Sequence, residues 1–320
     1  MGEYGDRTRR GLASLVVVGG VAAILSLLLV AHRAVPGSPG SLLESALPWL
    51  VAPALLVLLV AVVTRHVAVI AVALVPTAIW TIMFAPTLTD HSRSGSHDLR
   101  VASLNLGKST PGEALPPVLA EHPDVLVLEE VTQANRGTVT KTLADAYPHH
   151  TETGTVAIFS RFRLSDTEPV DIHIGWTRAI ATTVATDNGY IRVFAAHLAS
   201  ARADETAGRD RTLAALAAAA HADPSQRLIL AGDLNTATTD RLFHEFAPLA
   251  DSQKEAGSGF GFTWPSAFPV VRPDHILERG LTTRRSWVVK APGSDHRAVL
   301  ADFDTGKDDG AGDRFATPDQ

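Results

Sequence analysis

LILAGDLN, residues 228 to 235, decides how this chain is read. An apolar run from Leu228 to Ala231 reads as a strand, and it delivers Gly232, Asp233, Leu234 and Asn235 into a turn. Strand alternation points Asp233 and Asn235 to the same side. Alone, the fragment is equally an Asx-turn closing a strand. That bland reading does not explain five further polar fragments: SLNLG around Asn105, LVLEEV around Glu130, AAHL around His197, PDHIL at 273–277 and SDHR at 294–297. Most ride on or just past apolar, strand-like runs, so carboxylates, amides and imidazoles collect where a sheet ends. Such a collection fits metal-assisted phosphoryl chemistry.

Around these fragments, short β-rich runs alternate with amphipathic or Ala-rich ones. Strands are predicted at 99–104, 125–128, 156–159, 180–185, 190–196, 227–231 and 298–303, and helices at about 111–121, 132–145 and 204–222. The last helix has Asp204 and Glu205 in its opening turn, where the macrodipole favours them. Intermixed strands and helices indicate an α/β layered domain over 98–304. There are no cysteines, so no disulfide supports the domain and no thiol serves its chemistry.

The front of the chain is of another kind. Residues 11–31, about 42–63 and 67–84 are nearly free of charge, Glu44 being the exception, and each approaches the roughly 20 residues that cross a bilayer core. A secretory signal has a shorter apolar core and is not followed by further apolar runs. Three transmembrane helices within 11–86 are therefore expected, kinked at Pro53 and Pro76. Arg7, Arg9 and Arg10 mark residues 1–10 as a cytoplasmic tail, and three crossings place the chain beyond residue 86 outside the cell membrane. Residues 87–97 read as a tether, and the polar, Gly/Asp-rich residues 305–320 as a disordered tail.

In order and residue type, the six fragments resemble the endonuclease/exonuclease/phosphatase superfamily over about 98–304. The resemblance implies a four-layer α/β sandwich, two packed and mainly antiparallel sheets flanked by helices, with its site at one end. It also implies a divalent cation, Mg²⁺ or alternatively Mn²⁺. Glu130 is then the main metal ligand, Asn105 sits beside metal and phosphate, and Asp295 completes the metal environment. Asp233 orients or deprotonates the attacking water, and Asn235 holds that water or the phosphate. His197 and His296 grip the phosphate from opposite sides, with Asp274 orienting His296. The family usually has an amide at the position of Glu129, and often Thr or Ser where this chain has Ala196. Arg161 resembles the family's SR turn and either binds substrate or braces the scaffold; Trp264 lies in a segment that the family places near the site mouth.

Residues 98–304 carry 20 Lys+Arg against 26 Asp+Glu. An acidic region without basic runs is a poor partner for nucleic acid. A small phosphate head group near a bilayer fits better. Three spans followed by such a domain are similar to the VanJ-type membrane proteins associated with teicoplanin resistance, which implies a lipid-linked cell-wall intermediate of the polyprenyl pyrophosphate type as substrate. The alternatives are a membrane-tethered extracellular nuclease and a catalytically silent binding or scaffold protein. No stretch of sequence identifies a protein partner.

Overall fold

The computed structural model describes residues 2–201 and 205–306. Of the disordered tail expected at 305–320, the residues from 307 onward lie outside the described residues, as does Asp204 of the third expected helix in the domain, while Thr305 is buried and its N–H donates to Asp98 at 3.0 Å. The chain divides into two compact units, one holding the residues up to Thr89 with the short segment Thr238–Arg241, the other most of the remainder.

The first unit is helical: α1 (Gly2–Ala31), α2 (Gly37–Ala46), α3 (Val51–Thr64) and α4 (Val67–Leu88). Three stretches, Leu15–Ala34, Gly37–Thr64 and Val67–Leu88, are long and apolar enough to cross a membrane. Val18, Ala61, Val69 and Ala73 pack together, small residues at such contacts letting helix backbones approach closely. The second span breaks at Leu47–Leu50, not at Pro53. Pro53 falls in the first turn of α3, where an N–H has no helical acceptor to lose. At the break, the Trp80 indole donates to the carbonyl of Pro48 at 2.9 Å, supplying from a neighbouring helix what the interrupted ladder lacks. Helix α4 runs on through Pro76. Glu44, the odd charge in the apolar runs, is fully buried and accepts from the backbone N–H and guanidinium of Arg241 at 3.0 and 3.2 Å. A buried carboxylate needs such a partner.

The second unit contains β1 (Leu99–Asn105), α5 (Pro111–Leu119), β2 (Val125–Glu129), α6 (Arg136–Leu143), β3 (His149–Thr153), β4 (Val156–Ser160), β5 (Arg163–Pro169), β6 (Ala179–Thr186), β7 (Gly189–His197), α7 (Ala207–Ala222), β8 (Leu228–Asp233), β9 (Ala250–Asp251), α8 (Ser252–Ala256), β10 (Asp274–Arg279), β11 (Thr282–Lys290) and β12 (Arg297–Asp304). They form two six-stranded sheets, ordered β11-β12-β1-β2-β4-β3 and β5-β6-β7-β8-β10-β9. Each sheet is antiparallel except for one parallel pair, β1 with β2 and β7 with β8, and each of those pairs is joined through a helix, as parallel strands require.

Layering follows from alternation. Val101, Val125, Val127, Val193, Ile229, Ala231, Ile276 and Val299 fill the space between the sheets. Intervening residues of the first sheet, such as Leu104, Leu126 and Leu128, pack under α5 and α6, and those of the second, such as Phe194 and Leu230, under α7. Central strands buried on both faces read as unbroken apolar runs. The strands that sequence reading passes over include β3 and β5, which lie at sheet edges and are polar and partly exposed.

Glu278 on β10 carries a consequence for stability. Burial pushes its carboxyl up to about 7, although the N–H of Leu281, donating at 3.1 Å, favours the ionised form. A carboxyl raised above its unfolded value of 4.5 supports the fold fully below that value and does so less as pH climbs through about 7. Glu278→Gln keeps an acceptor for Leu281 and cannot ionise. It is expected to leave the melting temperature unchanged at pH 4.5. At pH 8 it should raise stability by about 1–2 kcal/mol, or roughly 3–6 °C, read by thermal unfolding at the two pH values.

Candidate active site

The residues that alternate into the space between the sheets turn polar at one end of the sandwich. On β1, Leu99 and Val101 are followed inward by Ser103 and Asn105, and on β2, Val125 and Val127 by Glu129. On the facing sheet, β7 ends in His197, β8 in Asp233, and β10 begins with Asp274. Register brings them level: Asn105 lies opposite Glu129, and Asp233 opposite both His197 and Asp274. The site is thus the terminal layer of the core, built from both sheets.

Two hydrogen bonds cross between the sheets. The Asn105 side-chain amide donates to Asp233 Oδ2 at 2.9 Å and also reaches Glu130 Oε1 at 3.3 Å. His296 Nδ1 lies 2.9 Å from Asp274 Oδ2, and Thr263 donates to the same carboxylate at 2.5 Å. Ser294 ties the ends of this arrangement together, donating to the Asn105 carbonyl and accepting from the N–H of His296. Asn235 holds Leu198 through its amide at 3.0 Å, while its backbone N–H donates to Asp233 Oδ1 at 2.9 Å. Its φ of 47° turns the chain just beyond β8. Gly232 is required there: with φ at 147°, any Cβ would stand 1.9 Å from the Ala196 carbonyl oxygen.

Glu130 leaves β2 with φ at 58°, a bend that breaks the alternation and lets its carboxylate share the Asn105 amide with Asp233. Glu129 is fully buried, accepting from Ser103 at 2.9 Å. Burial, with Asp274 adding, pushes its carboxyl well above the usual range. Asp233 is raised as well, by burial first and then by Asp274. The imidazoles diverge. Burial takes His197 down to about 4, leaving it neutral, with Nε2 3.5 Å from Asp233. Burial also opposes charge on His296, but Asp274, helped by Asp233 and Asp295, overcomes it and lifts the ring to about 10. One imidazole is thus neutral and the other a cation.

The carboxylates of Glu130 and Asp233, both facing the Asn105 amide, suit a hard divalent cation. Buried carboxylates drawn close together favour a cation between them. Ligand atoms of Asp233, Asp274 and His296 also lie within 4.8 Å of one another. Asp274 and His296, however, already engage each other, so they serve better as an imidazole and its orienting carboxylate than as ligands.

Asp295, exposed, neighbours this group, and its carbonyl accepts from Ser266. Trp264, 42% exposed, lies between Thr263, which holds Asp274, and the Ser266 turn. Arg161 does not join them. It follows β4 and pairs with Asp124 at 3.3 Å, at the start of β2, whereas Glu130 follows the end of that strand. The SR turn therefore braces the opposite edge of the scaffold. His275 is fully buried with Nε2 2.8 Å from the Thr236 carbonyl, and burial takes it down to about 3. A residue that sequence reading missed is Arg178, whose carbonyl accepts from the N–H of His197 at 2.9 Å and whose charge is felt by Asp233 and Glu130.

A two-sheet sandwich that gathers acidic oxygens, an amide and two imidazoles at one end defines a metal-dependent phosphoesterase. Residues 102–296 match the Endonuclease/Exonuclease/phosphatase family, and the chain belongs to that family. No curated protein matches it by sequence. Among solved structures, D. rerio TDP2 humanized by 14 mutations aligns with a TM-score of 0.56 and 21% identity over 65% of this chain and 99% of that one. Family proteins from Leptotrichia buccalis (TM-score 0.52, 16% identity, 64% and 99% covered) and Bacteroides vulgatus (0.54, 13%, 65% and 99%) share the same fold.

Proposed function

We propose that this protein is a membrane-anchored phosphoesterase whose catalytic unit stands on the outer face of the cell membrane and hydrolyses the phosphate ester or pyrophosphate of a lipid-linked cell-wall intermediate. The observation that carries this reading is the joining, in one chain, of three apolar helices to a buried acidic and imidazole cluster within a net-acidic domain. Glu130 and Asp233, with Asp295 nearby and the Asn105 amide positioning both carboxylates, would hold Mg²⁺ or Mn²⁺, which when bound supplies charge against the phosphoryl oxygens. Asp233, with its neighbours fixing both of its oxygens, orients the attacking water and takes its proton. Asn235 keeps the turn beside it in shape. Protonated His296, held by Asp274, donates to the phosphoryl group as charge builds, and neutral His197 contributes from the other strand. A lipid pyrophosphate needs only these groups, whereas a polyanionic strand needs cationic surface that an excess of acidic side chains does not offer. A substrate of this kind would connect the enzyme to tolerance of glycopeptide antibiotics such as teicoplanin.

One D. rerio TDP2 structure holds a single-strand DNA product, so a nuclease arm belongs in the test. The full-length protein in detergent, with Mg²⁺, is offered a polyprenyl pyrophosphate, sphingomyelin and single-stranded DNA. Phosphate release from the polyprenyl substrate is expected, stopped by EDTA and restored by Mg²⁺ or Mn²⁺, with Glu130→Ala requiring at least about tenfold more metal. Faster cleavage of DNA than of any lipid would overturn the lipid assignment. For topology, Asp187→Cys in the exposed β6–β7 turn should react with an impermeant thiol reagent on intact cells.

A further inference from the structure

Beyond Asp233 the chain runs through nine residues, Leu234 to Leu242, without helix or strand. Where such a stretch is buried, its backbone needs partners outside any ladder. Its first part is tied within the catalytic unit: Asn235 donates to the Leu198 carbonyl at 3.0 Å, and His275 Nε2 meets the Thr236 carbonyl at 2.8 Å. The next residues, Thr238–Arg241, group with the helical unit, and there α2 takes over. Thr239 donates to the Glu44 carbonyl at 2.6 Å and Ser41 to Asp240 Oδ2 at 2.7 Å, while the Glu44 carboxylate accepts from the N–H and guanidinium of Arg241. Ser41, Glu44 and Asp240 are all buried. Gly40 shows how closely the segments fit, since a Cβ there would stand 1.9 Å from Arg241 Nη2 and 1.9 Å from the Val35 carbonyl oxygen. An ionisable residue in an apolar span is costly and is kept where it has a task. Anchoring does not call for one, because apolar helices hold a chain in a bilayer without a carboxylate.

We propose that Ser41 and Glu44 are positioning residues of the active site: by holding Thr239, Asp240 and Arg241, they fix the far end of the turn that carries Asp233 and Asn235. The helical unit is then a working part of the enzyme as well as its anchor. The inference rests on the phosphoesterase reading, in which Asp233 is the base. One oxygen of that carboxylate is aimed by the N–H of Asn235, so the loop that carries Asn235 sets its direction. A misplacement of about 1 Å caused far from the chemistry can cost about 10²-fold in rate.

The test uses the full-length protein in detergent with Mg²⁺ and two water-soluble esters, p-nitrophenyl phosphate and bis(p-nitrophenyl) phosphate, which need no bilayer to reach the site. Glu44→Gln removes the charge that Arg241 faces and is expected to lower kcat about 10–10²-fold, with KM changed less than about threefold. Combining Glu44→Gln with Arg241→Gln replaces the ion pair by two amides and should return kcat to within about threefold of the wild type. Hydrogen exchange read by mass spectrometry needs no turnover. Amides of residues 234–237 should exchange at least about tenfold faster in Glu44→Gln and recover in the double variant, with those of β1 unchanged. Wild-type kcat in Glu44→Gln, or unchanged exchange at 234–237, would overturn the proposal and leave the helical unit as an anchor only. Faster exchange throughout both sheets, unrelieved in the double variant, would overturn it as general destabilisation. If the wild type cleaves neither ester, the phosphoesterase reading fails by itself; exchange at 234–237 that still depends on Glu44 would then support the hold of α2 on this turn.

Discussion

Asp233→Asn is expected to reduce kcat by about 10³–10⁴-fold without disturbing the fold. The carboxylate is fixed from two sides, by the Asn105 amide on Oδ2 and by the Asn235 N–H on Oδ1, so an isosteric amide can occupy the same space and keep one of these bonds. What it loses is threefold. It cannot take a proton from water, it offers a weaker oxygen to a hard cation, and it turns an N–H₂ group toward the Asn105 donor. Steady-state kinetics at saturating Mg²⁺ would show the loss in kcat, with thermal unfolding close to that of the wild type. A variant retaining a tenth of the activity would remove Asp233 from the role of base.

The second large effect belongs to Asp274. It holds His296 charged against burial, lifting the ring to about 10, so the wild type keeps its cationic donor across the neutral range and loses it only as pH rises through that value. Asp274→Asn withdraws the main support. The His296 ring then falls to or below its ordinary 6.5, because the burial that opposes its charge remains. Activity at pH 8 is expected to drop about 10²–10³-fold, with a much smaller loss near pH 5.5. The alkaline limb of the pH–rate profile should move down by roughly three pH units. A loss of equal size at every pH would mean that Asp274 serves only to hold the turn of Thr263 in place.

Most of the site could be read before the fold because the strand ends carry it. Asn105, Glu130, His197 and Asp233 each end or follow an apolar run, and Asp274 and His296 each precede one, so a period-two pattern brings its last polar residue to the same place as its core residues. The four-layer arrangement was legible through the family resemblance and not from periodicity, since central strands buried on both faces do not alternate. Arg161 stayed open between two roles in the sequence because a motif does not say at which end of a strand it falls; its pairing with Asp124 favours the bracing one. Arg178 was missed for the opposite reason: nothing near it resembles a motif. It could have been found by extending the hairpin register of 180–185 with 190–196 one step past its end, which sets residue 178 against His197. The polar edges β3 and β5 lack the apolar signal because one side of each meets water.

The placement of these groups ties chemistry to the seam of the sandwich. Asn105 and His296 come from one sheet, Asp233 and Asp274 from the other, and each bond between them spans the gap. If the layers slipped by a single residue step, about 3.3 Å, both pairs would part while every strand kept its ladder. Turnover should therefore vanish before circular dichroism changes on gentle heating, making this enzyme a gauge of how tightly its two halves stay closed.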